Sequence, residues 1–335
     1  MSLQIANQPY IWQQDPEWQK WYEARDDESQ TLEADGLVIH SYQSGFDPYL
    51  TCSYYFETER GVVLIDTQLF YSAVRELWDQ IQANTSGELY CVINTHAHPD
   101  HYYGNAYIKK MAPQALMVTS RAVMDDLKRT VRQRCAKTNF DWGEEVFDDP
   151  GKIVLPNLTF DERATLEFDN LTLELRDMGP SEAPVQLVGW IPEVRGIVAA
   201  DILQNQQHLY FVDRTLGPWY TIVQEFERWD PTWLLTGHQG IAGVELINET
   251  KRWIATYLGV MAESLPAGVD MEDVSALDDD GRLGVLARMR EAFPNWFDPY
   301  FHDGWTVMET CMAGARSEVV GAAVMDHGRY REGER

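Results

Sequence analysis

Residues 95–101 read Thr-His-Ala-His-Pro-Asp-His, directly after the apolar run 89–95 (LYCVINT). His96, His98, Asp100 and His101 therefore fall within six positions at the mouth of a strand-like segment. Side chains packed so closely on one loop can converge on one point. Neutral imidazole suits zinc, and a hard carboxylate can share or bridge ions. The whole chain holds 8 histidines, and three of them lie here, which argues against coincidence. The chemistry indicated is the binding of metal ions.

Such a loop needs a rigid platform. The runs 36–43 (GLVIHSYQ), 51–57 (TCSYYFE), 61–67 (GVVLIDT) and 89–95 have strand length and Gly/Asp punctuation. Residues 70–83 place Phe70, Val74, Leu77 and Ile81 at helical spacing. A helix is expected over 103–112, a strand over 115–119 and a basic helix over 121–137. Further strands are expected at 153–155, 164–168, 171–177, 185–191, 196–200 and 233–236. Helices are expected at 218–228, 244–262, 281–292 and 305–315. Two sets of strands with accompanying helices favour two sheets face to face with helices outside. A doubly wound parallel sheet stays open on pattern alone, although no Gly-rich phosphate loop follows the first strand.

The composition narrows the function classes. The net charge of −26 among 335 residues, with 44% hydrophobic residues, repels nucleic acids and anionic membranes. Neither a nucleic-acid partner nor a membrane partner is expected. No run reaches the length of a membrane span, and the N-terminus lacks a basic segment followed by an apolar one. Cys52, Cys91, Cys135 and Cys311 are scattered with no CxxC pair, so a cytoplasmic protein without disulfides is expected. Residues 1–35, rich in Trp, Gln and acids, are expected to form an extension packed on the body. Residues 36–262 are expected to form the catalytic domain, and 263–335 a helical C-terminal extension.

The HxHxDH signature resembles the metallo-β-lactamase superfamily, over about residues 36–240. The resemblance implies an α/β (α+β) fold, the αββα sandwich of two mixed sheets with helices on the outer faces. Asp66 in VVLIDT sits where that superfamily places an acid beneath the metal loop. Asp201 in IVAADIL sits at its metal-bridging carboxylate, and His238 in LLTGHQG at its last histidine ligand. Most members carry a third histidine for the first ion in a Gly-His-Thr-like turn; here the turn is Gly179-Pro180-Ser181-Glu182-Ala183-Pro184. A glutamate ligand in such a turn is the pattern of the type III alkylsulfatases. Those enzymes bridge with glutamate where this chain has Asp201, and they are much longer.

The resemblance thus implies two divalent ions, zinc foremost. His96, His98 and Glu182 would bind the first, Asp100, His101 and His238 the second, and Asp201 both. Two ions about 3.5–4 Å apart hold a hydroxide formed near neutral pH, and the substrate implied is a small anionic ester, foremost an alkyl sulfate. Asp66 would orient a ligand. Asp100 and His208 are the catalytic candidates, His208 as general acid for the leaving oxygen. His208 follows Asp201 by seven residues and Arg214 by thirteen. Arg214 at that place is implied to bind the sulfate, its planar fork matching an anionic head group. Tyr103, with Tyr102, would line the pocket, and Trp219 with Tyr220 would wall an alkyl chain. Other hydrolases on the same fold compete with this reading: a lactonase, a phosphodiesterase or a β-lactamase-like enzyme. A metal-binding protein without catalysis is a further alternative. Trp253, Tyr257, Leu258, Phe293, Trp296 and Phe297 after His238 predict a homodimer.

Overall fold

Apolar runs bounded by glycine and aspartate do become strands, and they assemble into two sheets. The computed structural model describes residues 29–44, 49–142, 153–169, 171–213, 215–298 and 306–313, without the side chains of 133–142. In the first sheet β1 (Thr31–Ala34), β2 (Leu37–Gln43), β3 (Cys52–Thr58), β4 (Gly61–Ile65), β5 (Leu89–Ile93), β6 (Leu116–Ser120) and β7 (Leu158–Phe160) lie side by side in chain order. Pairing is antiparallel from β1 to β4 and parallel from β4 to β7. Parallel neighbours need crossovers. These are α1 (Tyr71–Asn84), the short pair α2 (Pro99–Tyr102) and α3 (Asn105–Met111), and α4 (Arg121–Trp142).

The second sheet comprises β8 (Arg163–Glu167), β9 (Thr172–Met178), β10 (Gln186–Ile191), β11 (Gly196–Ala200), β12 (Trp233–Thr236) and β13 (Ile241–Ala242), in the order β13-β12-β11-β10-β9-β8. Only β11 and β12 run parallel, and α5 (Leu216–Trp229) joins them. Then come α6 (Glu245–Ser264), α7 (Asp279–Ala292) and α8 (Val307–Met312).

Period-two alternation sorts the second sheet onto two faces. Leu187, Val198 and Leu235 join the core shared with the first sheet, which also takes Leu77 and Ile81 of α1. Val188, Ile197, Ala199 and Leu234 point the other way, into a second core with α5 to α8. Two sheets face to face with helices outside is the αββα sandwich expected. Among the described residues, no helix is long and apolar enough to cross a membrane.

Four local expectations shift. Thr31–Ala34, read as part of an extension, is the edge strand β1, while residues 1–28 lie outside the described residues. The helix expected at 103–112 runs over Asn105–Met111, and a separate short helix, Pro99–Tyr102, precedes it; at Gly104 between them a β-carbon would stand 1.9 Å from the Thr67 carbonyl oxygen. The strand expected at 153–155 lies instead at 158–160, where pairing with β6 decides it. Trp253, Tyr257, Phe293 and Phe297, the aromatics taken as a dimer surface, are buried in the chain's own core, with Leu258 and Trp296 packed against that core. Tertiary packing of α6 and α7 on the second sheet uses the apolar faces that the sequence reading assigned to a second copy.

Candidate metal centre

The carboxyl ends of β4, β5, β11 and β12 meet at one end of the sandwich. Each strand delivers its polar residue just past its last apolar one: Asp66 after β4, Thr95 to His101 after β5, Asp201 after β11 and His238 after β12. Backbone hydrogen bonds lock the two sheets together there. Leu187 donates to the Thr95 carbonyl at 2.7 Å, and Cys52 to the Gly237 carbonyl at 2.8 Å. The Tyr54 hydroxyl donates to the Thr236 carbonyl at 2.7 Å.

Two groups of ligand-type side chains result: His96, His98, Glu182 and Asp201, and Asp100, His101 and His238, with the ligand atoms within each group no more than 4.8 Å apart. In the first, His98 Nδ1 lies 2.8 Å from Glu182 Oε1, and His96 Nε2 lies 3.7 Å from Glu182 Oε2 and 3.6 Å from Asp201 Oδ2. In the second, His101 Nε2 is 3.2 Å from Asp100 Oδ2, and His238 Nε2 is 3.9 Å from it. Asp201 touches both, with Oδ2 3.0 Å from His238 Nε2 and Oδ1 3.4 Å from His101 Nε2. All seven residues are buried except His98, whose side chain is 14% exposed and so marks the open side.

These residues fit a pair of divalent cations. His101 Nε2 and Asp201 Oδ1 are buried and make no well-directed hydrogen bond among the described residues, an arrangement that costs free energy unless a cation faces them. Room for the Asp201 carboxylate is made by Gly237, where a β-carbon would sit 1.6 Å from Asp201 Oδ1. The far side of the ligands is held by other groups. His101 Nδ1 meets Asp66 Oδ2 at 2.8 Å, His96 Nδ1 meets Thr95 Oγ1 at 3.0 Å, and His238 Nδ1 meets the Tyr49 carbonyl at 2.7 Å. Thr95 donates its amide and hydroxyl to Asp66, and Thr51 donates to Asp100 Oδ2 at 2.8 Å. Such partners fix ring orientation and raise ligand basicity.

The electrostatics agree. Burial opposes charge on His101, yet Asp201, Asp100 and Asp66 outweigh it and raise its pKa well above the ordinary value. His238 is likewise raised, burial being overcome chiefly by Asp201. Burial also works against the Asp201 anion, but His238, His101 and His96 hold its pKa well below the usual carboxylate range. Burial, and then the Asp201 charge, push Glu182 well above that range. A site that stabilises protons on buried imidazoles stabilises divalent cations in their place, with release of those protons.

Residues 47–241 match the family model of the metallo-beta-lactamase superfamily. The chain belongs to that superfamily. Solved superfamily structures share the fold. A metallo-beta-lactamase from Pontibacter korlensis superposes with a TM-score of 0.54 at 16% identity, covering 68% of this chain and 99% of that one. A double mutant of the sec-alkyl sulfatase PisA1 superposes with a TM-score of 0.59, also at 16% identity. That match covers 84% of this chain and 52% of the sulfatase, so this chain spans about half of its length. No curated protein matches the sequence. Hydrolytic metalloenzymes are the usual members of the superfamily, and the two ligand groups stand where a dinuclear centre fits.

The remaining sequence candidates divide. Tyr103 is fully buried with its ring edge-on to Tyr102 in the inter-sheet core. Trp219 is also fully buried, its indole donating to the Ile202 carbonyl at 2.9 Å, which removes it as an alkyl wall. Tyr220, half-buried, packs against the second core. His208 lies in that core between Trp253, Phe293 and Trp296, and its Nδ1 accepts from Trp253 Nε1 at 3.0 Å. Burial, aided by the charge of Arg290, pulls its pKa down to about 3. With Nδ1 accepting, the neutral ring carries its one proton on Nε2, and the low pKa means that it is not an imidazolium at neutral pH. Arg214 lies outside the described residues.

Sequence reasoning missed Thr51, Thr95, Gln186 and Tyr210. Gln186 donates to Glu182 Oε2 and accepts from the Asp201 amide, both at 3.1 Å. A polar residue opening the apolar strand QLVGWI, four positions after Glu182, was the available signal. Tyr210 sets its ring edge-on to His98, centroids 6.0 Å apart, on the open side. No local pattern distinguishes Tyr210 or Thr51.

Proposed function

We propose that this protein hydrolyses a small anionic ester, foremost an alkyl sulfate, at a dinuclear zinc centre in the cytoplasm. His96, His98 and Glu182 would hold one ion, Asp100, His101 and His238 the other, and Asp201 would serve both. Bound there, divalent ions supply Lewis acidity and lower the pKa of water from about 15.7 toward about 7. The observation that carries the reading is the Glu182 carboxylate 2.8 Å from His98 Nδ1, in the place where most of the superfamily has a third histidine. A glutamate there adds negative charge, which holds cations firmly and makes them weaker Lewis acids. The fold likeness to a sec-alkyl sulfatase is in keeping with this reading.

The chain's own side chains do the positioning. Asp66 and Thr95 orient His101 and His96. Asp100 is held by Thr51, and Tyr210 stands beside His98 at the open side. Arg214 is proposed to bind the sulfate, supplying the local positive charge that an anionic substrate needs on a chain of net charge −26. Its neighbours support this: the Thr215 hydroxyl donates to the Ser181 carbonyl beside Glu182, and the charge of Asp213 acts on Glu182.

The test is kcat/KM on medium-chain alkyl sulfates and on lactones for the wild type, Arg214→Ala and Arg214→Lys. Loss of one buried charge-assisted contact is worth roughly 1.5–3 kcal/mol, about 10- to 150-fold, on the sulfate and little on a neutral lactone. Arg214→Lys should recover part of the loss, because the paired donors are gone. A wild type that ignores sulfates and cleaves lactones, with Arg214→Ala unchanged, favours the generic hydrolase instead. A protein that holds metal and turns over neither substrate points to the binding-only alternative.

A further inference from the structure

The side chain of Gln186 is completely buried and spans the two carboxylate-bearing elements of the first ligand group. Its Nε2 lies 3.1 Å from Glu182 Oε2, and its Oε1 lies 3.1 Å from the Asp201 amide nitrogen. Only one orientation of the amide satisfies both contacts. A backbone N–H can only donate, so the oxygen must face Asp201, which leaves the NH2 group to donate to Glu182. Glutamine alone among side chains of this length offers one donor and one acceptor in that arrangement. A glutamate would set a second carboxylate against Glu182, and a methionine would offer neither bond.

The strands explain the reach. β10 and β11 are antiparallel, with Gly189 paired to Val198 and Ile191 to Gly196. Extending that register toward the site brings Gln186 across from Asp201. Glu182 lies four residues earlier, in the turn that leads into β10. The Gln186 amide therefore fastens the turn to the end of the neighbouring strand. It takes up Oε2 of Glu182, while Oε1 stays 2.8 Å from His98 Nδ1.

We infer that Gln186 is a positioning residue for the first metal group: it sets the rotation of the Glu182 carboxylate and couples it to Asp201. This rests on the dinuclear reading above. The second group, Asp100, His101 and His238, is held by Thr51, Asp66 and the Tyr49 carbonyl and has no bond to Gln186. Gln186 meets Asp201 at the backbone amide and not at the carboxylate, so the effect of losing it falls chiefly on the ion held with Glu182, which a general loosening of the fold would not produce.

The experiment is titration of metal-free protein with Zn2+ against a chromophoric chelator, giving two stepwise constants, for wild type, Gln186→Met and Glu182→Gln. Partners behind a ligand are worth about 10- to 100-fold in metal affinity. Gln186→Met should weaken one constant by that factor, the same one that Glu182→Gln weakens, and leave the other within about threefold. Gln186→Asn, whose amide is one methylene too short to reach both partners, should do the same and serves if the methionine variant does not fold. Both constants unchanged, or both falling together, would overturn the inference. A wild type that takes up no divalent ion sinks the dinuclear reading itself, which is a different outcome.

Discussion

His101 Nδ1 and Asp66 Oδ2 face each other at 2.8 Å with both side chains buried. Asp66 ends one strand of the first sheet and His101 sits in the helical turn after the next, so the contact ties the metal loop to the sheet. It also sets the ring so that Nε2 points at Asp100 and Asp201.

Asp66→Asn tests that tie. Asp66 has φ 59°, in the left-handed region that asparagine also tolerates, so this substitution removes the charge with little backbone strain. Affinity for the ion at Asp100, His101 and His238 should fall about 10- to 100-fold. Chelator competition on the folded variant measures it, and an unchanged constant would remove Asp66 from the metal site.

Glu182 and its neighbour Ser181 should behave oppositely. Glu182→Ala should lose one of two metal equivalents and nearly all activity. Ser181 is fully buried, and its hydroxyl finds no hydrogen-bond acceptor or donor among the described residues. Ser181→Ala should therefore keep metal content and be neutral or slightly stabilising, by up to about 1 kcal/mol, since an unsatisfied buried hydroxyl is removed. Elemental analysis beside thermal melts checks both; full metal content in Glu182→Ala contradicts the assignment of this turn.

Gly237→Ala should disable the centre from outside the ligand set. The added methyl would occupy the space of Asp201 Oδ1, 1.6 Å away, so the carboxylate must move. A misplacement of about 1 Å can cost on the order of 100-fold in rate. Metal content and kcat/KM should fall together. A variant with wild-type metal content and rate would show that Asp201 is not shared between the two groups.

His208 makes acid stability a readable quantity. Its pKa falls from 6.5 unfolded to about 3 folded, so the unfolded chain binds more protons between those values. Stability from this residue is complete above pH 6.5 and is lost as pH falls toward 3. At pH 4 the loss is about 3 kcal/mol, at 1.36 kcal/mol per unit. His208→Gln keeps an acceptor for Trp253 Nε1 and removes the titration. Denaturant melts at pH 7 and pH 4 should show a smaller drop for the variant; equal drops would mean that His208 is not held neutral.

Much of the centre is legible in the chain because its first part is local. His96, His98, Asp100 and His101 share one loop after one apolar strand, and spacing alone brings them together. Asp66, Asp201 and His238 each end an apolar run, so their placement at strand ends is readable, and likeness to a known signature assigns their roles. The strands themselves follow from period-two and continuous apolar runs, which solvent exclusion enforces residue by residue.

Which way a side chain faces is a different matter, because it depends on what packs against it. His208 has the spacing of a site residue, yet Trp253 of α6 and Phe293 and Trp296, just after α7, set aromatic rings around it. Tyr103 adjoins the metal loop and points into the core. The aromatics read as a dimer surface cover the second sheet of their own chain. Gln186 looks like an ordinary polar strand residue until the register of β10 against β11 brings it to Asp201. Sequence by itself determined the ligand types and the strands that carry them, since both depend on short-range pattern. The pairing of Gln186 with Glu182 and Asp201, and the burial of His208 against Trp253, were decided only by tertiary structure, because burial and hydrogen-bond direction arise from contacts between elements far apart in the chain.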